Sequence, residues 1–240
     1  MKSAKWVTLV ALFSVWFVIS FSLQNEVLLP MPQDVLLRMI GDLQNPVFYS
    51  SVGITLYRML KGLFLAFVLG IAFGLGSGLS KWFDAFFYPI EVILKTVPNI
   101  SYIILSLIWL GSEASVTVVS FLVLFPVVFG NVKQGVLAID SGYIDVIKVY
   151  PTSFSYKIRK VYLPLISPYL KAALQTSLGL GFKVSVMAEI LGRVQSGIGF
   201  RLDFCRVNLD YTGVFAWTIW IVLLVVVLDN FLKIVSRKDG

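Results

Sequence analysis

Apolar residues come in long runs separated by short polar or Pro-containing breaks, and about 20 mainly apolar residues suffice to cross the hydrocarbon layer of a bilayer. The first run, Trp6 to Leu23, follows Lys2 and Lys5. It is longer than a usual signal core and no small-x-small site follows it, so it reads as an uncut anchor. A polar stretch from Gln24 to Ser50 follows, where Pro30 and Pro32 break the chain and Asp34 is placed to cap a short helix. A second run lies within Gly53 to Leu79, and a third from Ile100 to Gly111 follows an amphipathic lead-in over Phe86 to Val97. The fourth covers Val116 to Val132, the fifth Ile166 to Met187 and the sixth Val214 to Val235, with a mixed loop from Glu189 to Asp210 before the last. The expectation is an all-α membrane protein, a bundle of about six transmembrane helices. Residues 1–50 would supply the N-terminal span and an extracytoplasmic segment. Residues 51–240 would form the core, with a cytoplasmic loop at 133–164.

Two runs carry a finer pattern. Gly62, Ala66, Gly70, Gly74 and Gly78 recur every fourth position, as do Ala173, Ser177, Gly181 and Ser185. Such stripes strip one helix face of side chains so that a neighbouring backbone can approach, which signals helix packing.

Composition agrees: 58% of the 240 residues are hydrophobic and 14% are charged, against about 45–50% and about 25% in soluble domains. The net charge of +7 comes mainly from residues flanking apolar runs. With both termini inside, twelve Lys and Arg fall on the cytoplasmic side and six on the other, the asymmetry of the positive-inside rule. Arg58 and Lys61 strain this scheme near the outer end of the second run, where they would snorkel outward or face another subunit.

The chain has no histidine and one cysteine, Cys205. That excludes an internal disulfide, a zinc site built on His or Cys, and His-dependent triads. A phosphate-cradling loop of the form G-x-x-x-x-G-K-[ST] is missing too, since the glycines from Gly74 to Gly78 lack the Gly-Lys pair. The ionisable residues in or near the runs are Glu91, Lys95, Lys183 and Asp229, of which Lys95 and Asp229 lie close enough to an end to reach the interface. Lys183 lies deeper, where it would either meet an anionic solute in a pathway or pair with a neighbouring helix.

The segment Lys133 to Pro164 is long and patterned. Ile144, Ile147 and Val149 precede a break at Pro151, and Thr152 or Ser153 can cap a second short helix bearing Phe154, Ile158 and Val161 on one side. Two short amphipathic helices joined by a turn suit a docking surface. They would also suit a pair lying on lipid headgroups.

This segment resembles the cytoplasmic signature of the permeases of binding-protein-dependent ATP-driven (ABC) importers: Glu-Ala-Ala, three residues, Gly, nine residues, Ile-x-Leu-Pro. The same spacing falls here on Asp145, Val146 and Ile147, then Pro151, then Val161, Leu163 and Pro164. Asp replaces Glu, larger aliphatics replace the alanines, and Pro replaces Gly. Further stretches are similar to the same family: Leu29-Pro30 to Leu36, Thr55-Leu56 with Arg58 and Gly62, Lys95 to Asn99 with Trp109-Leu110-Gly111, and Ala188-Glu189 with Gly197-Ile198-Gly199-Phe200. The last pair resembles the branch that imports nitrate, sulfonates, taurine, bicarbonate or thiamine-precursor pyrimidines.

The resemblance implies a type I importer permease, multi-pass in the cytoplasmic membrane of a prokaryote. It would pair with a second permease subunit, equal or different, and receive solute from an extracytoplasmic binding protein. ATP and Mg²⁺ would belong to separate ATPase subunits, and the chain itself would hold no cofactor and no metal. Asp145, Tyr150, Pro151, Thr152, Ser153, Phe154, Leu163 and Pro164 would form the coupling contact with the ATPase. The rival expectation is a secondary transporter or channel not driven by ATP.

Overall fold

The computed structural model of the chain describes residues 2–25, 27–140, 142–143, 149 and 152–238. Helices α1 (Lys2–Leu23), α2 (Pro32–Leu43), α3 (Pro46–Leu79), α4 (Lys81–Thr96) and α5 (Asn99–Leu137) precede the patterned loop. After it come α6 (Phe154–Lys157), one π-helical turn (Ile158–Tyr162) and α7 (Leu163–Leu165). Helices α8 (Ser167–Leu191), α9 (Ile198–Val207) and α10 (Tyr211–Lys238) complete the bundle. Four helices among the described residues are long and apolar enough to cross a membrane: Trp6–Leu23, Pro46–Leu79, Asn99–Leu137 and Tyr211–Ile234. The expected fifth run is α8, whose 25 residues reach about 37 Å at 1.5 Å each.

The third and fourth expected spans are not separate helices. They form the two limbs of α5, which turns at Gly111 (φ 74°, ψ 177°). Without the turn, about 46 Å of helix would separate Asn99 from Gly130. Yet the Lys95 ammonium, four residues before Asn99, reaches within 3.7 Å of where a Gly130 Cβ would stand. The limb 99–110 therefore folds back, and its Tyr102 and Ile103 are buried with Val116, Val119 and Val123 of the other limb. At about 18 Å this limb is too short to span alone. Only glycine takes positive φ without a Cβ penalty, which is why the reversal fits within one residue.

The small-residue stripes set the centre. Cβ atoms built on Gly62, Gly70, Gly74 and Gly78 would meet Ser120, Val128, Val132 and Val136 at 2.6–2.8 Å. That constant offset of 58 positions makes α3 and the long limb of α5 parallel. The α8 stripe packs on the same limb in the opposite sense: Gly181 meets Leu124, and the Ser120 and Ser185 hydroxyls bond at 2.8 Å. Phe83 and Phe87 from α4 pack with Phe73, Phe125 and Phe129, ring centroids 5.0–6.1 Å apart. The ends of α3 and α5 and the start of α8 thus share one end of the bundle with the patterned loop.

Two local expectations differ. Asp34 does not cap α2: Met31 is the N-cap without a side-chain bond, Pro32 opens the helix and Asp34 sits in its first turn. Arg38 pairs with Asp42 within α2 (3.4 Å) and ties α2 to the start of α10 through Asp210 (3.0 Å). Beside them, burial and then the Asp210 charge push the Cys205 thiol up to about 11, so it is a protonated packing group.

The close approach of α3 and α5 predicts that Gly74→Leu destabilises the chain by about 1–3 kcal/mol, because the new side chain meets the Phe129 carbonyl as well as Val132. Gly53→Leu, which enters open space, should leave thermal unfolding in detergent unchanged. Equal melting of the two variants would contradict this packing.

Candidate functional site

Continuing each small-residue stripe one step of four leads to a charge. Four residues before Gly62 stands Arg58, and four residues after Ser185 stands Glu189. Because α3 and α8 are antiparallel, the two meet at the end of the bundle opposite the patterned loop. Glu189 is fully buried and Arg58 is 6% exposed. Neither could stay ionised there without partners.

The partners are present. Arg58 Nη1 donates to Glu189 Oε1 at 2.7 Å and to the Ser196 carbonyl at 2.8 Å, while Nη2 donates to Ser196 Oγ at 2.9 Å. Nη2 also pairs with the Glu113 carboxylate, which is 61% exposed at its side chain. The Thr55 hydroxyl lies 2.9–3.0 Å from both Glu189 oxygens and accepts from Ile198 N–H at 2.8 Å. Gly199 N–H donates to Glu189 Oε2 at 2.8 Å.

These bonds explain the spacing of Ala188-Glu189 and Gly197-Ile198-Gly199. After α8 ends, the chain turns back over its last carboxylate. Gly197 adopts φ 105°, and a Cβ there would stand 2.4 Å from Glu189 Oε1. A Cβ on Gly199 would stand 2.5 Å from Glu189 Cβ. Glycine is required at both places so that backbone can lie against the buried carboxylate. Arg58 therefore does not snorkel. It locks three segments together, while Lys61, one turn further along α3, is exposed with its ammonium 4.2 Å from the Tyr57 ring centroid. Glu189 belongs to the helix and not to the loop that the sequence pattern suggested.

The expected coupling residues lie at the other end. Asp145, Tyr150 and Pro151 lie outside the described residues. Thr152, Ser153 and Phe154 are exposed, and Ser153 caps α6 by accepting from Tyr156 N–H at 3.3 Å. Phe154 is 68% exposed. Tyr162 is buried, Leu163 packs against the core and Pro164 is exposed, so a rooted base carries a solvent-facing tip. Lys183 is exposed on α8, between the buried Phe182 and Val184, and is remote in the helical repeat from the Arg58–Glu189 face. The structure thus brings Thr152, Ser153 and Phe154 together, roots Leu163 beneath them, and leaves Pro164 exposed and Lys183 apart.

A bundle of apolar helices with a buried clamp at one end and a short helical loop at the other is the architecture of a transport subunit. The chain matches the family of binding-protein-dependent transport system inner membrane components over residues 66–238. It belongs to that family and is the permease subunit of an ABC importer. It is 26% identical over 230 residues to the putative aliphatic sulfonates transport permease protein SsuC of Bacillus subtilis, covering 95% of this chain and 83% of that one. It is also 26% identical to the taurine transport system permease protein TauC of Escherichia coli, over 96% and 86% of the two chains. With the bicarbonate transport system permease protein CmpB of Synechococcus elongatus the identity is 25%, over 82% and 71%. The fold is similar to that of a chain of the MetNI methionine ABC transporter in an inward-facing conformation, with TM-score 0.71 and 19% identity over 81% of this chain and 96% of that one. Family membership sets aside the rival of a transporter independent of ATP.

Removing one partner of the buried pair leaves the other charge uncompensated. Glu189→Ala should therefore cost about 3–5 kcal/mol, measured by unfolding in detergent. The double variant Arg58→Met, Glu189→Leu should recover a large part of the loss. Strictly additive losses in that cycle would contradict a direct pair.

Proposed function

We propose that this permease carries a small anion, of the sulfonate, taurine or bicarbonate kind, across the inner membrane of a prokaryote, with both termini in the cytoplasm. The similarity to SsuC, TauC and CmpB, permeases for aliphatic sulfonates, taurine and bicarbonate, supports the solute class. Two copies, or this chain and a different permease, enclose the pathway. A binding protein delivers the solute at the end that holds Glu189. ATP and Mg²⁺ act in separate ATPase subunits at the opposite end.

The observation that carries the coupling assignment is the solvent-facing Phe154 at the start of α6, directly after the Ser153 cap. A large aromatic side chain exposed on a rooted polar loop is an anchor for a partner's cleft. Asp145, Tyr150, Pro151 and Thr152 complete the contact, and Leu163 with Pro164 transmits its movement into α8. Pro151 stands where the family signature has Gly. It fixes φ near −65° and removes an amide donor, so the turn differs from the usual one and fits a dedicated partner. Lys183 supplies a positive charge to the anion in the pathway, because an ammonium without an ion-pair partner among the described residues is costly to keep on a membrane-crossing helix for packing alone.

Phe154→Asp should lower ATP-driven uptake at least tenfold while the chain remains folded and assembled, and ATP hydrolysis should lose its response to the loaded binding protein. Normal uptake would overturn the coupling assignment. Lys183→Met should raise the KM for an anionic solute with little change in assembly, and unchanged kinetics would return Lys183 to a packing role.

A further inference from the structure

At the outer end of the α3–α5 groove lies a cavity of about 620 Å³. Its walls divide by chemistry. Ile54, Ala114 and Val118 make one apolar side, and Arg58, Lys61 and Glu113 supply the charges. Arg58 is held in place by Glu189 behind the cavity and by Ser196 at its wall, so its second nitrogen faces the cavity at a fixed position. Glu113 is the exposed partner of that nitrogen. Arg58 is its single ion-pair partner among the described residues.

The charges balance without a ligand. Glu189 holds the Arg58 guanidinium from behind and Glu113 holds it from the cavity, while the Lys61 ammonium stands over the Tyr57 ring. Were Glu113 to swing out towards solvent, a fixed guanidinium and a nearby ammonium would face an open volume with an apolar wall. That combination fits a monoanion with a short apolar tail: one oxygen would take the place of the Glu113 carboxylate on Arg58 Nη2, in a charge-assisted hydrogen bond, and another would meet the Lys61 ammonium. The apolar wall would cover the tail.

We propose that this cavity is an outer binding site for short organic oxyanions, in which Glu113 is an internal stand-in that the incoming anion displaces. The proposal rests on the reading of an anionic solute and assigns it a place in this chain. It makes Arg58 and Lys61 the ligand-holding groups and Glu113 a positioning residue that sets affinity by competition. It also explains why Lys61 is kept at an exposed position on a spanning helix.

The test uses the chain purified with its native partners in lipid nanodiscs, with radiolabelled ethanesulfonate as the probe and equilibrium binding as the readout. Glu113→Gln keeps the shape and removes the competing charge. It should bind ethanesulfonate about fivefold more tightly, the change expected when a competing ion pair near the exposed limit is lost. Lys61→Met should bind it at least fivefold more weakly. Ethanesulfonate should also outcompete inorganic sulfate, which has no tail for the apolar wall. Both substitutions are at exposed side chains, and Glu113→Ser carries the same expectation should the Gln variant fail to assemble. Unchanged affinity in either Glu113 variant or in Lys61→Met overturns the site. If the unaltered importer takes up ethanesulfonate while the variants bind it normally, only this site fails. If the unaltered importer neither binds nor takes up ethanesulfonate or bicarbonate, the anionic-solute reading fails with it.

Discussion

The pairing of Arg58 with Glu189 is the constraint on which the end of the bundle opposite the loop depends. Neither ion could remain buried alone, because desolvation would cost several kcal/mol for each. Their attraction therefore fixes how α3 and α8 meet, and the spare acceptors of Glu189 fix what covers them. Thr55 and Gly199 fill those positions. The turn after α8 thereby becomes a structured lid, which Val194 and Ile198 also root in the apolar core. Buried ion pairs are weak as net stabilisers, but they reject wrong arrangements strongly. In a bundle whose helices touch along nearly featureless glycine faces, such a pair supplies the register that the glycines cannot.

Below that clamp the bundle is held by close approach. The glycine stripe of α3 lets α5 come within contact of its backbone, and Ser120 with Ser185 repeats the polar motif once, at small scale, between α5 and α8. Van der Waals contact and a few hydrogen bonds suffice between helices in lipid, where the surroundings are as apolar as the side chains. The single sharp feature is Gly111, where one residue of positive φ turns a 39-residue helix back on itself. The limb it creates covers the upper part of α5 and leaves the groove beside Arg58 open on the other side.

Much of this was legible in the sequence. The apolar runs gave the helices, and the stripes at Gly62 to Gly78 and Ala173 to Ser185 gave the packing faces. The segment to Val161 as helical, with a cap at Thr152 or Ser153, followed from spacing, and the fold selects Ser153. What was missed was tertiary. Gly111 reads as a loop glycine because nothing local distinguishes a reversal from a break between spans. Arg58 reads as a residue in search of water because its partner lies 131 positions away. The signal was present, since each stripe, extended by four, ends on one member of the pair. Sequence spacing shows that Arg58 and Glu189 lie on packing faces; only the antiparallel arrangement of α3 and α8 shows that they meet. Glu113 and Ser196 carry no comparable pattern, and their roles depend entirely on the fold.

The two ends of the molecule then divide the labour of a permease: a charged clamp beside a cavity at one end, an exposed aromatic tip at the other, and tightly packed helices between them to carry movement. The measurement that bears most directly on this account is purification of the chain from its native membrane in gentle detergent, with its partners identified by mass. Recovery of an ATPase subunit in about equal amount is the expected result. Recovery of the chain alone, still supporting solute uptake without ATP, would contradict the account.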